Sequence, residues 1–81
     1  MDSIYTIDDI MEHNKKNDCW IAINKDVYDI TDFIEIHPGG SAMLLTVAGT
    51  DATDFFNELH RPDILEEIAI DYRIGTFSNG I

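Results

Sequence analysis

The sequence predicts an α+β fold in which two pairs of short helices stand on a small β-sheet. Three observations predict it. Cys19 to Ile23 and Val27 to Ile30 are β-favouring runs flanking Asn24-Lys25-Asp26, the pattern of a hairpin. Helix-start residues at Thr6, Thr31, Ser41, Asp51 and Asp63 each precede apolar side chains at helical spacing. Tyr72-Arg73-Ile74-Gly75 then closes the chain as a short strand.

Each element has a local reason. Thr6-Ile7-Asp8-Asp9 has the form of a capping box, with Ile7, Ile10 and Met11 on one face, so a helix is expected near 7–13 with His13 at its solvated end. After the hairpin, Thr31 caps a helix carrying Phe33 and Ile34, which must stop at His37-Pro38 because proline disfavours helical geometry in the residue before it. Ser41 opens a helix with Met43, Leu44 and Val47, stopped near Gly49. Asp51 opens another with Phe55, Phe56 and Leu59, stopped before Pro62, and Asp63 begins the last with Ile64, Leu65, Ile68 and Ala69. Two of these helices therefore end at a histidine, His37 and His60.

Composition narrows the function. At 81 residues the chain reads as one small domain over 1–81, of a size whose stability a bound ligand often completes. Sixteen acids against five bases give a formal charge of −11, which repels nucleic-acid phosphates and anionic membranes and favours basic protein partners. The single cysteine, Cys19, excludes an internal disulfide, and it is expected to pack in the sheet. No apolar run reaches the ~20 residues of a membrane helix and no secretion signal opens the chain, so a soluble, cytoplasmic monomer is expected, reaching a membrane only through a fused segment or a partner.

The chemistry lies at His37-Pro38-Gly39-Gly40 and at His60. Two imidazoles from separate helix ends, with apolar helix faces between them, suit a flat iron-containing ligand held from both sides. Gly39 and Gly40 put no Cβ in the way of a ring and permit a sharp turn, which Pro38 stiffens. Spacing alone leaves two unrelated histidines as the commoner explanation.

The chain resembles the cytochrome b5 domain family from about Ile4 to Phe77. The resemblance is carried by His37-Pro38-Gly39-Gly40, by Trp20, by Val27-Tyr28-Asp29-Ile30-Thr31-Asp32-Phe33, and by Ala48-Gly49-Thr50-Asp51-Ala52-Thr53 leading to Phe56. It implies a non-covalent haem b with His37 and His60 as axial ligands. It also implies a pocket lined by Ile23, Ile30, Phe33, Leu44, Phe56 and Leu59, with Met43, Val47, Ile68 and Ile74 as further lining. Trp20 is expected in the core away from the cofactor.

With both axial positions filled, the resemblance implies an electron carrier rather than an enzyme, working between a reductase and an acceptor that are basic or flavin-containing proteins. The alternatives are the electron-delivering haem domain of a larger oxidoreductase or desaturase, and a haem- or lipid-binding regulatory module. Members of the latter class lack this histidine pair. The chain departs from microsomal members in two places. Arg61 stands where they carry a propionate-binding serine, and the interval between the histidines is one residue shorter; Leu59-His60-Arg61-Pro62 looks more like the haem domains fused to flavoenzymes or desaturases. Uncharged Ser41, Ala42 and Thr46 follow the first ligand where microsomal members place acids, which leaves Glu35, Asp54, Glu58 and Asp63 for docking.

Overall fold

The computed structural model describes residues 3–36, 42, 44–59 and 71–78, with Glu35 and Leu59 described by backbone alone. In chain order the elements are β1 (Ser3–Tyr5), α1 (Ile7–Met11), β2 (Asn14–Lys15), β3 (Asp18–Ile23), β4 (Asp26–Asp29), α2 (Thr31–Ile36), α3 (Thr53–Leu59) and β5 (Arg73–Phe77). The five strands form one sheet in the order β1-β5-β4-β3-β2. The β3–β4 hairpin is antiparallel, with Ile21 opposite Tyr28 and Ala22 opposite Val27, while β1 runs parallel to β5. The predicted α+β class with a small mixed sheet is therefore correct.

Strand β3 positions everything else. Successive side chains on a strand point to opposite faces, and β3 buries both. Cys19, Ile21 and Ile23 join one apolar cluster with Ile30, Phe33, Ile34, Leu44, Ala52 and Phe56. Trp20 and Ala22 belong to a second cluster with Ile10, Val27, Phe77 and Ile74. The sheet thus separates a face covered by α2 and α3 from one covered by α1.

The capping box of α1 forms as the sequence predicts. The Asp9 backbone N–H donates to Thr6 Oγ1 and the Thr6 backbone N–H to Asp9 Oδ2, at 3.4 and 2.9 Å. The helix stops at Met11, two residues short of the expected end, and His13 needs a correction. Its ring stacks on Trp20, with centroids 3.7 Å apart, and its Nδ1 lies 2.7 Å from Asp18 Oδ1. The ring is half-buried because a partner ring and a carboxylate await it across the sheet edge. The predicted helix from Asp63 and the Ser41 cap lie outside the described residues.

Gly49 shows why this chain needs glycine after Leu44 and Leu45. Its φ is +72°, its N–H donates to the Trp20 carbonyl at 2.7 Å, and a Cβ there would stand 2.7 Å from Asn14 Cβ. Gly75 serves a different need: a Cβ would meet the Ser3 carbonyl oxygen at 2.5 Å, so the parallel β1 can approach only a bare backbone.

Candidate functional site

The residues expected around a flat apolar ligand divide clearly. Ile23, Ile30, Phe33, Leu44 and Phe56 are all buried and share one cluster, and half-buried Val47 packs against it. Ile74 is set apart: it packs against the second cluster, with Ile10 and Val27, because its side chain leaves β5 toward α1. His37, Gly39, Gly40, Met43, His60, Arg61 and Ile68 lie outside the described residues, as does the side chain of Leu59.

The assembled face is chemically uniform. No polar or charged side chain is buried among the described residues, and none of their buried side-chain N or O atoms lacks a partner. Phe33 meets Tyr72 edge-on at 5.7 Å and Phe55 meets Phe56 edge-on at 5.5 Å, arrangements that hold aromatic rings in fixed orientation. Tyr72, Leu45, Ala48 and Phe55 also pack on this cluster, and sequence reasoning did not place them there. For Tyr72 the available signal was an aromatic residue just ahead of the closing strand. These residues fit the hydrocarbon body of a porphyrin, which requires aliphatic and aromatic contacts.

Two helices converge on this face, and the chain runs from each directly into a histidine: α2 ends at Ile36 before His37, and α3 ends at Leu59 before His60. Thr31 was expected to cap α2 but is its first residue. The cap is the carboxylate two positions earlier, since Thr31 N–H donates to Asp29 Oδ1 at 3.2 Å. Asp51 does the same for α3, accepting from Thr53 N–H at 3.0 Å.

Two clefts among the described residues are of another kind. One, about 550 Å³, is lined by Asn24, Lys25, Asp51, Thr53 and Asp54. The other, about 470 Å³, includes Asp18, Asp29, Asp32 and Asp71. Both are open and lined mainly by polar and charged residues.

Buried Cys19 has its thiol pKa pushed from 9.0 up to about 11, first by loss of water and then by the nearby Asp29 and Asp18 charges. Burial, and then Asp26, push Tyr28 up as well. Both groups bind their protons more tightly folded than unfolded, so the stability they contribute is complete below the unfolded values and lost as pH rises. Unfolding free energy is expected to fall from pH 9 toward 11, by up to about 1.4 kcal/mol per pH unit for the Cys19 proton. Urea titrations across that range check this. Cys19→Ala should flatten the decline, and an equal decline in the variant would refute the assignment.

Comparison with known proteins bears on the same residues. The family model described as "Cytochrome b5-like Heme/Steroid binding domain" matches residues 6–78. Cytochrome b5 isoform B of Arabidopsis thaliana is 43% identical over 72 residues, covering 89% of this chain and 54% of that protein. Cytochrome b5 reductase 4 of Rattus norvegicus is 50% identical over 56 residues, 69% of this chain but 11% of that protein. Among solved structures, cytochrome b558 of Ectothiorhodospira vacuolata, a prokaryotic homologue of cytochrome b5, superposes with a TM-score of 0.83 at 30% identity, covering 94% of this chain and 99% of that one. The chain spans about half the length of the plant relatives it matches. No helix among the described residues is long and apolar enough to cross a membrane.

Proposed function

The chain belongs to the cytochrome b5 family, and on that premise we propose that it binds haem b non-covalently through His37 and His60 and relays single electrons from a reductase to an acceptor. The observation that carries this reading is the pair of helices, α2 and α3, packed on one buried apolar cluster and each leading directly into a histidine. Haem b supplies a one-electron ferric/ferrous couple when bound. The chain's residues hold it and shield it. His37 and His60 would hold it through their imidazoles, and Ile23, Ile30, Phe33, Leu44, Val47 and Phe56 would keep water from the ring. Gly39 and Gly40 would leave room beside the first ligand, and Met43, Leu59 and Ile68 would extend the lining. Two protein ligands leave no position for a substrate, so no acid–base or nucleophilic role falls to any residue.

Reconstitution with haem tests this directly. A six-coordinate low-spin spectrum that reduces reversibly and ignores carbon monoxide supports the carrier; ready carbon monoxide binding overturns the two-histidine assignment.

Arg61 belongs to this reading as a cation beside a haem propionate, where positive charge favours the reduced state. Arg61→Ser is expected to lower the midpoint potential, and an unchanged or raised potential would remove the role. Docking follows from charge. Asp54 and Glu58 on α3 are exposed, as is Ile36 at the end of α2. Reduction of a basic acceptor should slow as salt rises, because screening removes electrostatic steering. A flat ionic-strength profile would count against it.

A second reading has its own support. L-lactate dehydrogenase (cytochrome) of Wickerhamomyces anomalus is 47% identical over 58 residues that make up 10% of that protein. The same haem module delivering electrons inside a larger oxidoreductase fits this match, and identification of the full reading frame separates the two.

A further inference from the structure

The two helices that lead to the histidines are attached to the sheet in the same way. In the segment Asp29-Ile30-Thr31 the Cys19 N–H donates to Thr31 Oγ1 at 3.0 Å, and the Thr31 hydroxyl donates to Asp29 Oδ1 at 2.7 Å. The Ile30 N–H returns to the Cys19 carbonyl at 2.9 Å. In Asp51-Ala52-Thr53 the Asn24 N–H donates to Thr53 Oγ1 at 2.7 Å, and the Thr53 hydroxyl donates to Asp51 Oδ1. The Ala52 N–H returns to the Ala22 carbonyl at 2.6 Å. Each threonine hydroxyl therefore links a backbone amide of β3, or of the residue just past its end, to an aspartate that caps a helix.

We propose that Thr31 and Thr53 are positioning residues that set, through two equivalent clips on one strand, where the helix ends leading to His37 and His60 stand relative to each other. The proposal rests on the two-histidine haem reading above. The clips grip residue 19 in β3 and residue 24 just past its end, at the two ends of a strand whose two faces are both packed. From each clip the helix runs only six or seven residues, about 9–11 Å, to its end. Helices this short do not hold themselves in place, and their direction comes from what anchors their first turn. Two imidazoles that meet one iron from opposite sides tolerate little error, so a displacement at either clip is passed directly to a ligand. Ordinary helix capping needs only the aspartate; the bond from the strand amide to the threonine hydroxyl, made twice, is the additional feature.

Thr31→Val and Thr53→Val remove the hydroxyl and keep the shape, and the corresponding serine variants restore it. Three measurements on each protein separate positioning from stability: haem release to an apoglobin acceptor, the low-spin electron paramagnetic resonance spectrum, and the urea midpoint of the haem-free chain. Each valine variant is expected to release haem about tenfold faster, the scale of one lost hydrogen bond, and to shift the low-spin g-values, with serine returning both to near the parent. A lowered urea midpoint with parent-like release and g-values would overturn positioning and leave the clips as stabilisers. If a valine variant does not fold without haem, Asp51→Ala, which removes the acceptor of both the Thr53 hydroxyl and the Thr53 N–H, should shift the g-values in the same direction, and no shift overturns the proposal. A parent chain that gives no low-spin spectrum refutes the haem reading and this inference together, whereas a normal parent with unaltered variants refutes this inference alone.

Discussion

Replacing His60 by alanine is expected to weaken haem binding by about a hundredfold or more, the equivalent of about 3 kcal/mol, and to turn a low-spin haem that ignores carbon monoxide into one that binds it. His37→Ala should behave alike, because each histidine follows a helix of similar length anchored to the same strand. The third histidine cannot take over. His13 stacks on Trp20 in contact with the α1-side cluster and holds Asp18 through Nδ1, across the sheet from Phe33 and Phe56. A His60→Ala protein that stays low-spin and refuses carbon monoxide would therefore mean that a ligand other than the three histidines reaches the iron, and the two-histidine assignment would fail. Titration of the haem-free variants with haem, followed by optical spectra with and without carbon monoxide, makes the measurement.

How far the sequence reveals this arrangement depends on what each signal encodes. Local chemistry is legible. Thr6 and Asp9 form the capping box their spacing requires, and the β3–β4 hairpin falls where β-favouring residues flank a turn. Strands β1 and β2 are not legible, because three and two residues carry no periodicity and exist as strands only through their pairing with β5 and β3. The run Cys19-Trp20-Ile21-Ala22-Ile23 is apolar throughout, which hides the alternation that sends Trp20 and Ala22 to one face and their neighbours to the other.

The same blindness explains Ile74 and His13. Both were assigned from the type of residue and its place along the chain, while the sheet decides which side of the molecule each occupies. The repeated Asp-x-Thr string was visible at Asp29 and Asp51, yet its meaning lies in hydrogen bonds to residues 19 and 24 that are distant in sequence. Ile23, Ile30, Phe33, Leu44 and Phe56 come together in one cluster for a simple reason: the large apolar side chains of β3 and of the segments that follow it have one sheet face to bury against.

Phe56→Ala carries the largest expected effect on the fold itself. The ring is 8% exposed and packs within the α2–α3 cluster, and such truncations cost roughly 3–5 kcal/mol. A chain of 81 residues has a total stability of about 4–12 kcal/mol, so the haem-free variant should stand close to unfolding. Haem at a hundred times its dissociation constant adds about 2.7 kcal/mol by mass action, so the loaded variant should regain a cooperative melt whose midpoint rises with haem concentration. Phe77→Ala is the control that gives this result its meaning. Phe77 is equally buried, but in the cluster on the other face of the sheet. Both variants lose apparent haem affinity through the unfolded fraction alone, and that loss vanishes under conditions that keep the chains folded. What remains there should be a deficit for Phe56→Ala and none for Phe77→Ala. Equal residual deficits would mean that the α2–α3 cluster has no special relation to the ligand, and the pocket would have to be sought elsewhere on the molecule.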